Sequence, residues 1–193
     1  MDLGRDALLM EIDGALAGYA IVHRPGAFAV VAPEYEGRGV GARLLEWVEQ
    51  REREREGDGR ALHALDAVSF ASSPDHVPES YAMFVQEHLH AHDVAPELSL
   101  VARDGTEIVG FLLARRWQHE GSGYVDLLAV APGHQRRGIG AALLTHGFAA
   151  FASAGLVQAQ LGVASDNPRG LRVYEAAGMG PRFRFDVFER RLE

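Results

Sequence analysis

Val130-Ala131-Pro132-Gly133-His134-Gln135-Arg136-Arg137-Gly138-Ile139-Gly140-Ala141-Ala142-Leu143-Leu144 joins an apolar run to the first turn of a helix through a tight, glycine-rich bend. The run from Tyr124 to Ala131 is almost wholly apolar and reads as a buried strand that stops at Pro132. Gly138 and Gly140 remove Cβ atoms where a backbone must come close to something. Backbone N–H groups at the start of the following helix have no partner within it and carry partial positive charge, so the bend is built to receive a phosphate or diphosphate. Arg136 and Arg137 add cationic charge at its rim. Taken alone, the stretch has a second reading, a sharp strand-to-helix turn with solvated arginines.

The same pattern occurs earlier. Val31-Ala32-Pro33-Glu34-Tyr35-Glu36-Gly37-Arg38-Gly39-Val40-Gly41-Ala42-Arg43-Leu44-Leu45 lies 99 positions upstream (130 minus 31) and aligns without gaps. Nine of fifteen positions are identical: Val, Ala, Pro, Arg, Gly, Gly, Ala, Leu and Leu. Asp13-Gly14 to Tyr19 likewise echoes Asp104-Gly105 to Phe111. The chain carries an internal repeat, and each copy reads hairpin, strand, glycine-rich turn, helix.

In the first copy, strands are expected at Ala7 to Ile12, Leu16 to Val22 and Ala27 to Ala32, separated by Asp13-Gly14 and Pro25-Gly26. A helix from Gly39 to Glu56 has an apolar stripe of Val40, Leu44, Leu45, Trp47 and Val48 and a charged tail. Gly57-Asp58-Gly59 interrupts that pattern, and we place the main boundary there: a partial, degenerate copy over 1–57 and a fuller copy over 58–193. The second part is expected to hold helices at Ala61 to Ala71 and Pro78 to His90, then strands at Leu98 to Arg103, Glu107 to Arg115 and Gly123 to Ala131. A helix from Gly138 to Ala154 follows, closed by Gly155 in the left-handed region. Strands at Val157 to Ala164 and Phe183 to Phe188 flank a short helix from Pro168 to Ala177. The fold class is mixed α/β, a mixed sheet with flanking helices present as one partial and one fuller copy.

Composition narrows the function. At 193 residues and 47% hydrophobic content the chain can bury a core without staples. With no cysteine it has no disulfide, no thiolate metal site and no cysteinyl nucleophile, a composition suited to a reducing cytoplasm. No apolar stretch reaches the roughly 18 residues a membrane span needs, and a net charge of -8 opposes general attraction to nucleic acid. Neither membrane nor nucleic acid is therefore an expected partner.

The second copy continues into Leu161-Gly162-Val163-Ala164-Ser165-Asp166-Asn167-Pro168-Arg169-Gly170-Leu171-Arg172-Val173-Tyr174-Glu175-Ala176-Ala177-Gly178-Met179. Gln135-x-x-Gly138-x-Gly140, then Asn167 followed seven residues later by Tyr174, then Gly178-Met179, resembles the GNAT superfamily of acyl-coenzyme A dependent N-acetyltransferases. The doubling, with Asp93-Val94-Ala95-Pro96-Glu97-Leu98 and His146 to Phe151, resembles its two-domain mycothiol synthase-like branch. The resemblance implies that acetyl-CoA is the co-substrate, without a metal. The acceptor is then an amine-bearing small molecule, attacked directly in a ternary complex.

It also implies site residues. The turn Gln135, Arg136, Arg137, Gly138, Ile139, Gly140 and Ala141 would hold the diphosphate, and the strand Leu128, Ala129 and Val130 would offer backbone groups to the pantetheine arm. Asn167 would bond that arm, cap the helix beginning at Pro168, or both. Tyr174 falls on the general-acid position; a phenol of pKa about 10 stays protonated at neutral pH and can assist a departing alkyl thiolate. Acceptor amines must lose a proton before attack, and Asp126, read as alternating with Tyr124, Leu128 and Val130, is the best single candidate for the base. Binding the amine or a structural bond are its other readings.

Other features carry less. Gly37-Arg38-Gly39-Val40-Gly41-Ala42 fits a dinucleotide fingerprint formally, but no apolar strand bearing a ribose-binding acid follows. His88, His90 and His92 with Glu87 and Asp93 read as surface histidines at a helix end in preference to a metal site. Ser122, Ser153 and Ser165 lack the setting of an activated serine. Glu36 puts a carboxylate where the second copy has Gln135, so the first copy is expected to be structural. A truncated first copy could complete its sheet against a partner chain, so a homodimer is one open arrangement. The rival to catalysis is a module that binds or senses acyl-CoA without turnover.

Overall fold

The computed structural model describes residues 3–23, 27–71, 73, 77–117, 121–165, 167–184 and 190. A short helix α1 (Leu3–Asp6) leads into β1 (Ala7–Ile12), β2 (Ala15–Val22) and β3 (Ala27–Val31), which form a three-stranded antiparallel sheet in the order β1-β2-β3. After α2 (Val40–Phe70) and a short helix α3 (Tyr81–Phe84) come β4 (Leu100–Asp104), β5 (Glu107–Trp117) and β6 (Ser122–Val130). Then follow α4 (Ile139–Ser153), β7 (Gln158–Leu161) and α5 (Pro168–Ala176). The second sheet runs β4-β5-β6-β7, antiparallel except for β7, which lies parallel to β6 across the α4 crossover.

The repeat is built in the same register. Gly18 of β2 faces Met10 and Val31, and Gly110 of β5 faces Ala102 and Val130. Each first strand carries an irregularity one step later, at Met10/Glu11 and Ala102/Arg103. Both glycines lie under a helix: a Cβ on Gly18 would sit 2.7 Å from the Val30 carbonyl oxygen and 3.1 Å from Leu44, and one on Gly110 3.1 Å from Ile139.

The expected break at Gly57-Asp58-Gly59 does not occur, and α2 runs unbroken through it for 31 residues. Glycine costs a helix interior about 1 kcal/mol, which packing at both ends of α2 offsets. Its first half lays Val40 and Leu44 on the first sheet; its second half lays Leu62 and Leu65 on the second, with Phe84, Phe111 and Leu113. Gly59 is buried where a Cβ would meet the Tyr81 hydroxyl at 2.7 Å, so the glycine that reads as a stop is a close-contact point. Asp58 bonds Arg103 at 2.7 Å, and Arg60 bonds Glu56 at 2.7 Å one turn back.

The second sheet is covered on both faces. Leu112, Ala114 and Val125 pack with Leu143, Leu144 and Phe151 of α4, while Phe111, Leu113 and Ala129 pack with α2 and Phe84. This explains why β5 reads as a continuous apolar run. Gly123 makes room for the Phe151 ring, which a Cβ there would overlap. Gly155 and Gly178 hold φ of 78° and 82°, as expected of residues closing helices. Phe183 and Arg184 are not in a strand; the rest of the expected terminal strand, and the Pro25-Gly26 turn, lie outside the described residues.

Candidate functional site

The glycine-rich turn folds alike in both copies. Pro132–His134 and Pro33–Tyr35 form single 3-10 turns, and Gly138 (φ 81°) and Gly39 (φ 79°) then hold the N-cap in the left-handed region, without a capping side chain. The N–H groups of Ile139, Gly140 and Ala141, in the first turn of α4, therefore have neither an intrahelical acceptor nor a side-chain cap. Arg136 is itself in the left-handed region (φ 60°), where the first copy has Gly37 (φ 72°). Such a conformation costs a non-glycine residue about 1 kcal/mol, and here it presents an exposed guanidinium beside the helix terminus. Arg137 is also exposed. The Gln135 side chain faces inward, its Nε2 donating to the Val130 carbonyl at 3.1 Å, so it braces the turn.

The second part of the site is a split in the sheet. β6 pairs with β7 only over Ser122–Val125, and beyond Val125 the strands part. On the other edge of β6, the register against β5 passes from Leu113↔Leu127 to Ala114↔Val125, leaving Asp126 as the extra residue of a bulge. The bulge overturns the expected alternation. Val125 and Leu128 both pack on the α4 side, whereas Asp126 points to the opposite face, against His88. The Ala131 N–H donates to the Val109 carbonyl, so by antiparallel alternation the backbone of Ala129 is turned to β5, while that of Leu128 and Val130 faces the open edge. The Val130 carbonyl there also accepts from Ser69 Oγ at 3.3 Å.

A cavity of about 600 Å³ occupies the split. One wall is β6 from Val125 to Leu128; the facing wall is Leu161 to Ala164 with Asn167, Arg169 and Tyr174. Asp66 and Phe70 of α2 enter at the far end with Glu79 and His88. Asn167 caps α5, its Oδ1 accepting from the Gly170 N–H at 2.9 Å, and stands on the cavity wall, so its two expected roles are sterically compatible. Burial pushes the Tyr174 phenol above its ordinary value and keeps it protonated at neutral pH. Tyr124 is half-buried, stacked on Trp117 at 4.2 Å, and its phenol is likewise pushed up by burial.

Asp126 is not a free carboxylate. Oδ1 accepts from Arg115 Nε at 2.9 Å; Oδ2 accepts from Arg115 Nη2 at 3.0 Å and meets His88 Nδ1 at 2.7 Å. Burial pushes its pKa up, but the bonds from His88 and Arg115 together outweigh this and hold it below the usual carboxylate range. That weakens Asp126 as a direct proton acceptor. Arg115 is fixed in turn by Asp93 at 2.8 Å and the Glu87 carbonyl at 2.6 Å.

Sequence reasoning missed His88, Glu79 and Arg115. His88 was expected at the surface, yet it is part-buried and reaches Glu79 Oε1 through Nε2 at 3.2 Å. A π turn over Val85–Leu89, closed by the His90 N–H to the Val85 carbonyl at 2.8 Å, follows α3 and carries His88 between Glu79 and Asp126. No periodicity announces such a turn. Among the described residues no group of three or more His, Cys, Asp or Glu is placed to hold a metal, and no helix is long and apolar enough to cross a membrane.

The sequence profile of the acetyltransferase (GNAT) family matches residues 2–73 and 65–179, and the chain belongs to that family. The two matches overlap at residues 65–73, across the C-terminal end of α2, the helix shared by both copies. A mycothiol acetyltransferase of Streptomyces avermitilis is 36% identical over 126 residues, 63% of this chain and 39% of that protein. The chain thus aligns with about two fifths of the length of this relative. Among solved structures, a GCN5-related N-acetyltransferase from Sphaerobacter thermophilus superposes with a TM-score of 0.52 at 21% identity, over 93% of this chain and 78% of that one. An aminoglycoside N-acetyltransferase, AAC(6')-Iy, in complex with CoA gives 0.54 at 17% identity, over 71% and 91%. These structural likenesses establish the fold.

Proposed function

We propose that the chain is a cytoplasmic enzyme that transfers an acetyl group from acetyl-CoA to an amine of a small-molecule acceptor, by direct attack within a ternary complex. The second copy, within residues 58–193, carries the site; the first, residues 1–57, is a degenerate structural half. The observation that supports this most is one cavity bounded by the split between β6 and β7, by Asn167 and Tyr174, and by the polar cluster around Asp126. An uncapped helix terminus with adjacent arginines stands at the end of the same strand.

The diphosphate would sit on the N–H groups of Gly138 to Ala141 beside Arg136 and Arg137, where hydrogen bonding and the helix dipole act together. The turn's own geometry depends on Gln135. The pantetheine arm would run along the open edge of β6 at the backbone of Leu128 and the Val130 N–H, the Val130 carbonyl being held by Gln135 and Ser69, with Ala129 contributing shape, and would reach Asn167. The thioester then lies near Tyr174, whose raised pKa keeps its proton in place at neutral pH for donation to the leaving thiolate. The acceptor would enter from the end lined by Glu79, His88 and Asp126. The aminoglycoside enzyme of similar fold, in complex with CoA, is consistent with this arrangement. Mycothiol-type chemistry is suggested by the Streptomyces relative.

The test is release of free thiol from acetyl-CoA in the presence of aminoglycosides, amino sugars and polyamines. Tyr174→Phe is expected to lower turnover by about 100-fold or more, in the range for loss of a general acid, with calorimetric CoA affinity unchanged. A wild-type chain that binds CoA but releases no thiol with any amine would favour the non-catalytic binding module.

A further inference from the structure

We infer that His88, oriented by Asp126, is the group that takes the proton from the acceptor's ammonium, with Asp126 as its positioning partner and Glu79 as the carboxylate that seats the ammonium. The inference rests on the acetyl-transfer reading and deepens it.

Three geometric facts lead here. Both oxygens of Asp126 are bound, one to Arg115 and the other shared by Arg115 and His88, so the carboxylate is fixed in place and spent as an acceptor. The 2.7 Å contact joins it to Nδ1 of His88, and in the neutral ring a proton on Nδ1 donated to Asp126 leaves the lone pair on Nε2. Nε2 is the atom turned to Glu79, 3.2 Å away, and both residues line the cavity that Tyr174 lines from the other side. An acid-oriented imidazole with its second nitrogen toward the substrate is the arrangement general-base histidines use on unrelated folds.

The step balances. The ammonium binds between Glu79 and Nε2, displacing their mutual contact, and passes one proton to Nε2. The free amine attacks the thioester carbonyl carbon, the C–S bond breaks, and sulfur takes a proton from the Tyr174 hydroxyl, which recovers one from the newly bonded nitrogen. The products are the amide, free thiol and one proton on His88, later lost to water.

Charged groups around His88 set its titration. Asp126 and Glu79 face it directly, Arg115 stands behind Asp126, Asp66 of α2 lines the same cavity, and His63 of α2 lies behind the intervening Phe84 ring. Burial lowers the affinity of His88 for a proton, but the Asp126 bond and the two carboxylate charges outweigh this and raise its pKa above the ordinary value. The working form is the neutral ring, so turnover should rise with pH through that raised value.

Two measurements on the intact chain test this. In ¹⁵N-histidine NMR, neutral His88 should carry its proton on Nδ1, and Asp126→Asn should lower its midpoint; a proton on Nε2, or a midpoint that Asp126→Asn leaves unmoved, overturns the proposal. With an amine from the thiol-release screen, His88→Gln should lower kcat about 100-fold with little change in KM and abolish the acid limb of the pH profile. If wild type turns over and His88→Gln matches it within twofold, the histidine's role falls while acetyl transfer stands. If wild type releases no thiol with any amine, both fall.

Discussion

The two copies share a turn and differ in what surrounds it. Gly39 and Gly138 have nearly the same φ, and the strands feeding them are in matching register. Yet Leu144 of α4 is fully buried, while its counterpart 99 positions earlier, Leu45 of α2, is 57% exposed. α4 lies against a sheet that includes β7, and its apolar side continues to Phe151. The equivalent stretch of α2 becomes charged from Glu49 onward. The sheet faces differ as well. Val30 is 44% exposed where its counterpart Ala129 is covered by α2 and Phe84. A loop sequence thus makes an anion-receiving turn, but a cavity needs the second layer and the split strand beside it.

Truncating the paired leucines should give the largest contrast. Leu144→Ala is expected to cost about 2–5 kcal/mol in urea unfolding, and Leu45→Ala under about 0.5 kcal/mol. Equal losses would mean the first helix is covered as fully as the second. Exchanging the turns' distinguishing residues comes next. Gln135→Glu puts the first copy's carboxylate at the second turn and removes the donor to the Val130 carbonyl, so CoA affinity by calorimetry should fall about tenfold, or about 1.4 kcal/mol. Glu36→Gln should leave it unchanged, and a new CoA site appearing in that variant would show the first turn competent after all.

A smaller, two-signed effect is expected at the left-handed position. Arg136→Gly, which copies Gly37, should raise stability by about 1 kcal/mol while weakening CoA binding about fivefold, the scale of an exposed charge pair. A gain in stability with no loss of affinity would detach the guanidinium from the ligand.

The smallest effect expected is on stability against pH, carried by the His88–Asp126 pair of the second copy. His88 has a raised pKa, so its contribution is complete below the ordinary histidine value and fades as pH rises through the raised one. Asp126 has a lowered pKa, so its contribution is complete above the ordinary carboxylate value and fades as pH falls through the lowered one. Stability should therefore be greatest between those limits, and Asp126→Asn should flatten the profile on both sides. An unchanged profile in that variant would mean the ion-paired cluster contributes nothing to folding.

The sequence by itself determined the repeat, the strands of both sheets to within a residue or two except β7, which stops at Leu161 three residues before the expected Ala164, the glycine-rich turns, and Asn167 and Tyr174 on one short helix. Those features are local: alternation, glycine spacing and capping act over a few residues and leave a readable pattern. Only the tertiary structure decided that α2 continues through Gly57 and Gly59, because the packing that offsets two glycines comes from two different sheets. It also decided where Asp126 points, since one bulge residue reverses every later side chain of β6 and no composition marks it. The meeting of Glu79, His88, Asp126 and Arg115 depends on that bulge and on a π turn, contacts between residues up to 38 positions apart (126 minus 88) that no local pattern encodes.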